Sequence, residues 1–378
     1  MRLPANSRPR SSAGLTFDLA APADEPELRR LMRECHLEGE ITLAVEREPD
    51  FFLGQTIEGP AHQTLVARDP EGRIAGMGSR SVREVWIDGH PRRMGYLGQL
   101  RLEPAYRGLP RIMRSGWKLL RRLHEEGDVP FYLTSISETN AAARRLLEAG
   151  LPGFPTYRPV AELATLVVST GRGATVPGTE VTQAEAGDLA EIAELLARYH
   201  SAHQFAPIWT AEDLANPERV RGLVPEDFLL VRQAGRLVGC AALWDQRAYK
   251  QVRVHGYASH LGRWRPALDL ASRMVGLPPL PRPGEPLEMA YLSHLAADRE
   301  AVEVYLALIG AARARAAGRG LASLALGLSA GSPLLAALRQ RLRFIEYRTL
   351  LYLVHWEDGA GAASAIGPRL ARPEIAVL

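Results

Sequence analysis

The residues whose order carries most chemistry are Leu100-Arg-Leu-Glu-Pro-Ala-Tyr-Arg-Gly-Leu-Pro-Arg-Ile112. An apolar strand pattern stops at Leu102, a turn follows at Pro104, and a helical pattern opens at Pro110. The missing N–H of Pro110 suits a first helical residue, where it would have no partner. Strand, tight loop and helix start together aim unpaired N–H groups and the positive end of a helix dipole at one point. Such a point accepts a phosphate or pyrophosphate. Arg107, Arg111 and Arg114 surround it and supply charge-assisted donors. Tyr96, Gln99 and Glu103 share the strand. Tyr96 reads equally as a cleft tyrosine whose hydroxyl has one partner, and Glu103, next to Pro104, as a solvated loop acid.

Other reactive side chains form weaker patterns. His200 and His203 have a spacing that a helix can use for a metal, but no third ligand accompanies them and no metal site is expected. Tyr291 and His294 stand on a second strand pattern; His294 reads as a base near neutral pH or as a satisfied core histidine. Arg111, Arg114, Lys118, Arg121 and Arg122 make one helix basic, with Trp117 its only aromatic residue. A solvated face beside an anionic ligand explains that helix better than nucleic-acid binding.

The elements that must position these residues follow from periodicity. Leu28, Leu31, Met32 and Cys35 recur at three- and four-residue spacing and predict a helix over 25–38. Strands are predicted over 64–68 and 73–82, joined by Asp69-Pro-Glu-Gly72, and then over 92–102, 129–136, 156–158 and 163–168. Helices fall between them, over 111–126 and 140–149. From residue 186 the order recurs: helix 186–200, strands 228–232, 236–243 and 287–296, helix 302–317, strand 322–329, helix 333–342, strand 348–355. Residues repeat too. Tyr96-Leu-Gly-Gln-Leu100 parallels Tyr291-Leu-Ser-His-Leu295, and Phe154-Pro-Thr-Tyr-Arg158 parallels Phe344-Ile-Glu-Tyr-Arg348. Two matches in the same order imply an internal duplication. Gly- and Thr-rich residues 169–178 then read as a linker between a first domain, 15–168, and a second, 179–358. Residues 255–286, with their Pro-rich end, read as an insertion in the second domain: a surface elaboration, a lid or a partner-binding edge. Residues 1–14 and 359–378 read as a disordered start and a flexible tail.

The first half resembles the GNAT superfamily of acyl-CoA-dependent N-acetyltransferases over about residues 15–168. The family's long strand, Arg/Gln-x-x-Gly-x-Gly/Ala loop and following helix match Leu100 to about Arg122. Its Asn-x-x-Ala-x-x-Leu motif ending in Gly matches Asn140, Ala143, Leu146 and Gly150. The resemblance implies two tandem α/β (α+β) domains of the GNAT type, each a mixed, mostly antiparallel central sheet flanked by helices. It implies acetyl-CoA or another acyl-CoA as co-substrate. Strand positions Leu100 and Leu102 would hold the acyl carbonyl and the pantetheine arm. Loop residues Arg107, Gly108, Leu109, Arg111 and Ile112 would hold the pyrophosphate, and Asn140 would lie beside the pantetheine. Acyl transfer to an amine asks for a base, oxyanion donors and an acid for the thiolate. Tyr96 aligns with a position that carries a catalytic acid in some members, and Glu103 shares its strand; Tyr157 and Tyr132 are alternatives for the acid. The chain departs from the family where both later loop glycines are Pro110 and Ile112, and where the frequent tyrosine is Leu147. The matching loop of the second half, Ala297-Asp-Arg-Glu-Ala-Val-Glu-Val304, has three acids and no glycine, so it repels a pyrophosphate. The expected activity is transfer of an acetyl or short acyl group to an amine of a small molecule or peptide. A silent tandem module that binds acyl-CoA as sensor or scaffold is the alternative; aminoacyl transfer from tRNA would require a larger basic groove.

Composition agrees with this class. A net charge of +3 over 378 residues draws the chain neither to nucleic acid nor to an acidic membrane. No apolar run approaches the roughly 18 residues that span a bilayer, and the start MRLPANSRPRSSAG lacks the apolar core of a signal peptide. Cys35 and Cys240 are too far apart in sequence to suggest a disulfide framework, so a reducing cytoplasm is the expected home.

Overall fold

The computed structural model describes residues 14–37, 39–127, 129–171, 173 and 176–378. The expectation of a disordered start at 1–14 therefore lies outside the described residues except at Gly14. In the first half, β1 (Thr16–Leu19), α1 (Glu25–Glu34), β2 (Ile41–Glu46), α2 (Gln55–Glu58), β3 (Ala61–Arg68), β4 (Ile74–Ile87), β5 (His90–Leu102), α3 (Pro110–Glu125), β6 (Tyr132–Ser137), α4 (Ala141–Leu147) and β7 (Thr156–Ser169) follow in order. The second half runs through β8 (Val181–Gln183), α5 (Leu189–His200), β9 (Ala206–Pro207), α6 (Ala211–Ala215), β10 (Phe228–Gln233), β11 (Arg236–Trp244), β12 (Gln251–Tyr257), α7 (Ser259–Met274), β13 (Met289–Ala297), α8 (Val302–Gly318), β14 (Ser323–Ser329), α9 (Pro333–Arg341), β15 (Ile345–His355) and α10 (Ala360–Ser364). The α/β class and the repeat order are those expected. Helix α1 is shorter than its periodicity suggested, because Cys35 turns out of the helical region at ψ 86°.

The two repeats do not keep separate sheets. One sheet runs β1-β3-β4-β5-β6-β15-β7-β14-β13-β11-β10-β8, with β9 paired to β4. The last strand of each half has crossed to the other: β15 lies against β6 of the first half, and β7 lies against β14 of the second. β15 and β7 also pair with each other from Ile345↔Val167 to His355↔Thr156. The two short strands expected over 156–158 and 163–168 are thus one strand, with a bulge where Pro159 interrupts the ladder. The stretch read as a linker holds to α8 at its start: Arg313 donates to the Ser169 carbonyl (2.7 Å), and Gly171 N–H donates to the Arg313 carbonyl (3.3 Å). The insertion read over 255–286 begins inside β12, which pairs antiparallel with β2 of the first half, and α7 follows on the surface.

The flexible tail expected at 359–378 is instead packed. Its Ala, Gly and Pro residues are small enough to lie flat against other backbone. Ala363, Ala371, Arg372, Ala376 and Val377 are buried. Gln246 donates to the Ala376 carbonyl (3.0 Å) and Lys250 Nζ to the Leu378 oxygen (3.3 Å). At Gly359 a Cβ would sit 1.9 Å from the Pro130 carbonyl oxygen. Gly359→Ala is therefore expected to lower stability by about 1–3 kcal/mol, read as a fall in the chemical-denaturation midpoint; an unchanged midpoint would place the tail off the body.

Candidate functional site

A long strand that must both pair and open a cleft needs an irregularity, and β5 has one. Gly98 opposes Ser79 and Arg101 opposes Met77, so β5 carries one residue more than β4 between these points. Gln99 takes up the excess in the left-handed region, at φ 53°. The second half repeats the device at the same offset. Ser293 opposes Ala242 and Ala296 opposes Cys240, and His294 sits at φ 50°. Non-glycine residues held there are strained and collect at functional sites.

The bulge parts the parallel strands next to it. β5 and β6 pair only at Gly95↔Tyr132 and Tyr96↔Leu133, and β13 and β14 part beyond Tyr291↔Ala325. Two equivalent notches result, with unequal contents. Leu100 at the first bulge is 48% exposed, whereas Leu295 at the second is 5% exposed. The tail closes the second notch. Glu374 accepts from the His294 N–H (2.9 Å), Arg372 donates to the Leu295 carbonyl (2.9 Å), and Ile375 packs where Gly327 has no side chain.

Below the first notch, the chain leaves Leu102 through one turn of tighter helix at Pro104–Tyr106, passes Gly108 at φ +74°, and enters α3 at Pro110. Gly108 is required there, since a side chain disfavours that backbone. No side chain caps α3, so its dipole and first N–H groups face outward. Ile112 spends its own N–H on the Leu109 carbonyl (3.0 Å), and its side chain is buried with Tyr106 and Ala75. Arg111 is exposed on the first turn. Arg107 Nε donates to the Leu102 carbonyl (3.1 Å), which ties the loop to the strand end. Arg114 Nε donates instead to the Pro152 carbonyl (3.0 Å). Asn140 caps α4, accepting from Ala143 N–H (3.1 Å). The corresponding turn of the second half holds Asp298, paired with Arg236 (2.8 Å), and Glu300, which accepts from Tyr199 (3.2 Å).

Tyr96 is the last paired residue before the first notch. Its hydroxyl lies 2.9 Å from Ser135 Oγ, and burial pushes its pKa up to about 12. It is thus a proton donor, not a base, at neutral pH. Glu103 does not join it. Six strand residues, 97–102, separate the two by roughly 20 Å, and Glu103 is held by Arg30 (3.0 Å) and Arg73 (2.9 Å). Tyr132 and Tyr157 lie in the core on the α3 side; Tyr132 meets Arg80 (3.1 Å), and Tyr157 packs on Trp117. His200 and His294, weighed at the sequence level as ligand and base, are buried with their pKa values pushed down to about 3, so both are neutral core groups. Among the described residues no cluster of His, Cys, Asp and Glu could hold a metal.

The acid beside Tyr96 is Glu58, which sequence periodicity does not mark because α2 is four residues long. Glu58 accepts from Gln99 Nε2 (2.7 Å) and pairs with Arg47 (2.5 Å), with His62 Nδ1 3.5 Å away. Burial pushes its pKa up, but the charges around it, Arg47 first and Lys250 further off, outweigh this and hold the carboxyl below its usual value. His62 is kept neutral by burial. Glu58, Tyr96, Arg83 and Glu374 line a cavity of about 20 Å³ between the halves, closed by apolar Met94, Leu133 and Phe205.

Known structures share this architecture. The fold matches N-myristoyltransferase from Saccharomyces cerevisiae, solved with bound myristoyl-CoA, over 92% of this chain and 85% of that one, at a TM-score of 0.61 and 12% identity. A GCN5-related N-acetyltransferase from Sphaerobacter thermophilus matches over 90% of this chain and 95% of that one, at 0.52 and 16%. A GCN5-related N-acetyltransferase from Anabaena variabilis matches over 89% and 72%, at 0.50 and 11%. No protein-family model matches the chain, and no curated protein matches it. The tandem GNAT fold is thereby shown, and no helix among the described residues is long and apolar enough to cross a membrane.

Proposed function

We propose that the chain is an N-acyltransferase that moves an acetyl or other short acyl group from coenzyme A to an amine of a small molecule or peptide. The observation that carries this reading is the open first notch, with Leu100 half exposed above an uncapped α3, beside a second notch that the chain itself fills. The residues fit the co-substrate: Gly108 leaves open space at the loop, and Arg111 and the α3 dipole offer positive charge for a pyrophosphate. When bound, acyl-CoA supplies the acyl group and a thiolate leaving group. Ionised Glu58 attracts the ammonium form of the acceptor. Neutral His62 beside it takes one proton from that ammonium so that the free amine attacks the thioester, and the second nitrogen proton, lost as the amide forms, replaces the one that Tyr96 gives up. Tyr96, protonated at neutral pH, gives its proton to the thiolate as the C–S bond breaks.

A binding module without turnover is favoured by one feature: Pro110 has no N–H, and the Ile112 N–H is used within the helix. Calorimetry with acetyl-CoA followed by thiol release over an amine panel separates the two. The acyltransferase reading expects binding and release, and expects Arg111→Ala to weaken acetyl-CoA binding about 10-fold, the worth of one charge-assisted contact. Binding without release for any amine would leave the module. No binding would remove both.

A further inference from the structure

Arg83 stands on β4 directly opposite Met94, on the face that looks toward the second half. It is buried, with its Nη2 on the Ile57 carbonyl (3.0 Å) and its Nη1 without a hydrogen-bond partner. A buried guanidinium is normally paired, because an uncompensated charge costs several kcal/mol. The side-chain carboxylates that act on it are committed elsewhere: Asp213 to Arg219 (3.2 Å), Glu58 to Arg47 (2.5 Å), and Glu374 to the N–H groups of His294 (2.9 Å) and Ala376 (3.2 Å). The surrounding atoms share the deficit. The guanidinium lies 5.2 Å from the centre of the Trp209 ring, and that ring lies 4.6 Å from His294. Trp209 Nε1, His294 Nε2 and Ser81 Oγ are also buried without partners. Arginine and tryptophan nitrogens only donate, and no acceptor reaches Arg83 Nη1 or Trp209 Nε1. The acceptor-only group whose two oxygens match a guanidinium is a carboxylate.

We infer that Arg83 seats a carboxylate of the acceptor, which is then an amino acid or a similarly small amine that carries a carboxylate. The placement of the amine rests on the acyl-transfer reading, and the carboxylate seat does not. Arg83 and Glu58 line the same cavity with Tyr96, so it presents both a guanidinium and a carboxylate. Those two charges are the counterparts of a zwitterion's carboxylate and ammonium. The cavity, at about 20 Å³, holds a water-sized group, so seating an amino acid requires the lining at Val377 and Leu378 to move.

The test is calorimetry of the purified protein with glycine, L-alanine and L-leucine, each against its own amide. The acids are expected to bind at least 10-fold more tightly than the amides. Arg83→Met should erase that gap and leave the amides' affinity unchanged, and Arg83→Lys should retain part of it. Arg83→Met should also melt at or above the parent temperature, since it removes an unpaired buried charge. Equal affinity for acids and amides, or no binding of either up to about 10 mM, overturns the inference. Failure of both variants to fold does so as well, because Arg83 is then part of the framework. Thiol release from acetyl-CoA is read in the same samples. Acid-selective binding without release removes the acyl-transfer reading and leaves the Arg83 seat standing.

Discussion

A fragment covering residues 14–171 is expected not to fold on its own, although it contains every element of the first repeat. In the whole chain β6 pairs with β15 from Ser137↔Thr349 to Tyr132↔Val354, and β15 belongs to the other repeat. Without it β6 becomes a bare edge, and the Tyr352, Val354 and Leu350 side chains vanish from the core around Trp117 and Tyr132. The fragment's own last strand, β7, cannot simply move over, because it is built to meet β14 from Leu163↔Ser329 to Ser169↔Ser323. An open, apolar edge of this kind aggregates. The fragments 14–171 and 176–378 are each expected in the insoluble fraction when made separately, and as a soluble one-to-one complex when made together. A first fragment with a cooperative melting transition of its own would show that the exchange is dispensable.

Acid is expected to destabilise the protein well above the range where carboxylates titrate. His294 is enclosed by the rings of Trp209, Phe228 and Trp244, and His200 offers Nδ1 to the Pro207 carbonyl. Burial, aided by Arg83 at His294 and by Arg372 at His200, pushes both down to about 3. An unfolded histidine titrates near 6.5. Below that value the unfolded chain takes up protons that the native chain refuses, so stability falls as the pH drops from about 6.5 towards 3, by up to about 1.4 kcal/mol per pH unit for each ring. Glu374 acts oppositely: burial raises its pKa in the native state, so its protonation in acid returns some stability. Between pH 7 and 5.5 these two histidines lower the denaturation free energy by about 2–3 kcal/mol, and His62 and His124, whose pKa values burial also lowers, add to the fall. His294→Asn should remove roughly half of the share that His200 and His294 contribute. A midpoint constant over this range would show that the rings are open to water.

The sequence made the repeat legible where chemistry and periodicity coincide. Tyr96 and Tyr291 announce the same strand in each half, and Arg107-Gly108-Leu109-Pro110 announces a strand-to-helix loop through residue types that few other contexts want. The left-handed residues Gln99 and His294 fall at matching positions of that repeat. The exchange of β7 and β15 was not legible, because a strand buried on both faces reads the same whichever neighbour it joins. The tail was misread for a related reason: Ala, Gly and Pro show no period, and close backbone packing leaves no periodic trace. Glu58, Arg83 and Glu374 reach the cavity from distant parts of the chain, and only the tertiary fold brings them together. Glu103, in contrast, looked apt by proximity in sequence and is spent on Arg30 and Arg73.

The crossed strands also set a timetable for synthesis. β6 ends at Ser137 and its partner β15 begins at Ile345, so a ribosome adding 5–20 residues per second exposes the unpaired strand for on the order of ten to forty seconds. Neither repeat completes its sheet until the polypeptide is nearly all made, and both then close in one event. During that interval the nascent chain is a natural client for holding chaperones, and a pause introduced by slow codons between residues 137 and 345 would lengthen the hazard without altering a single residue of the finished protein.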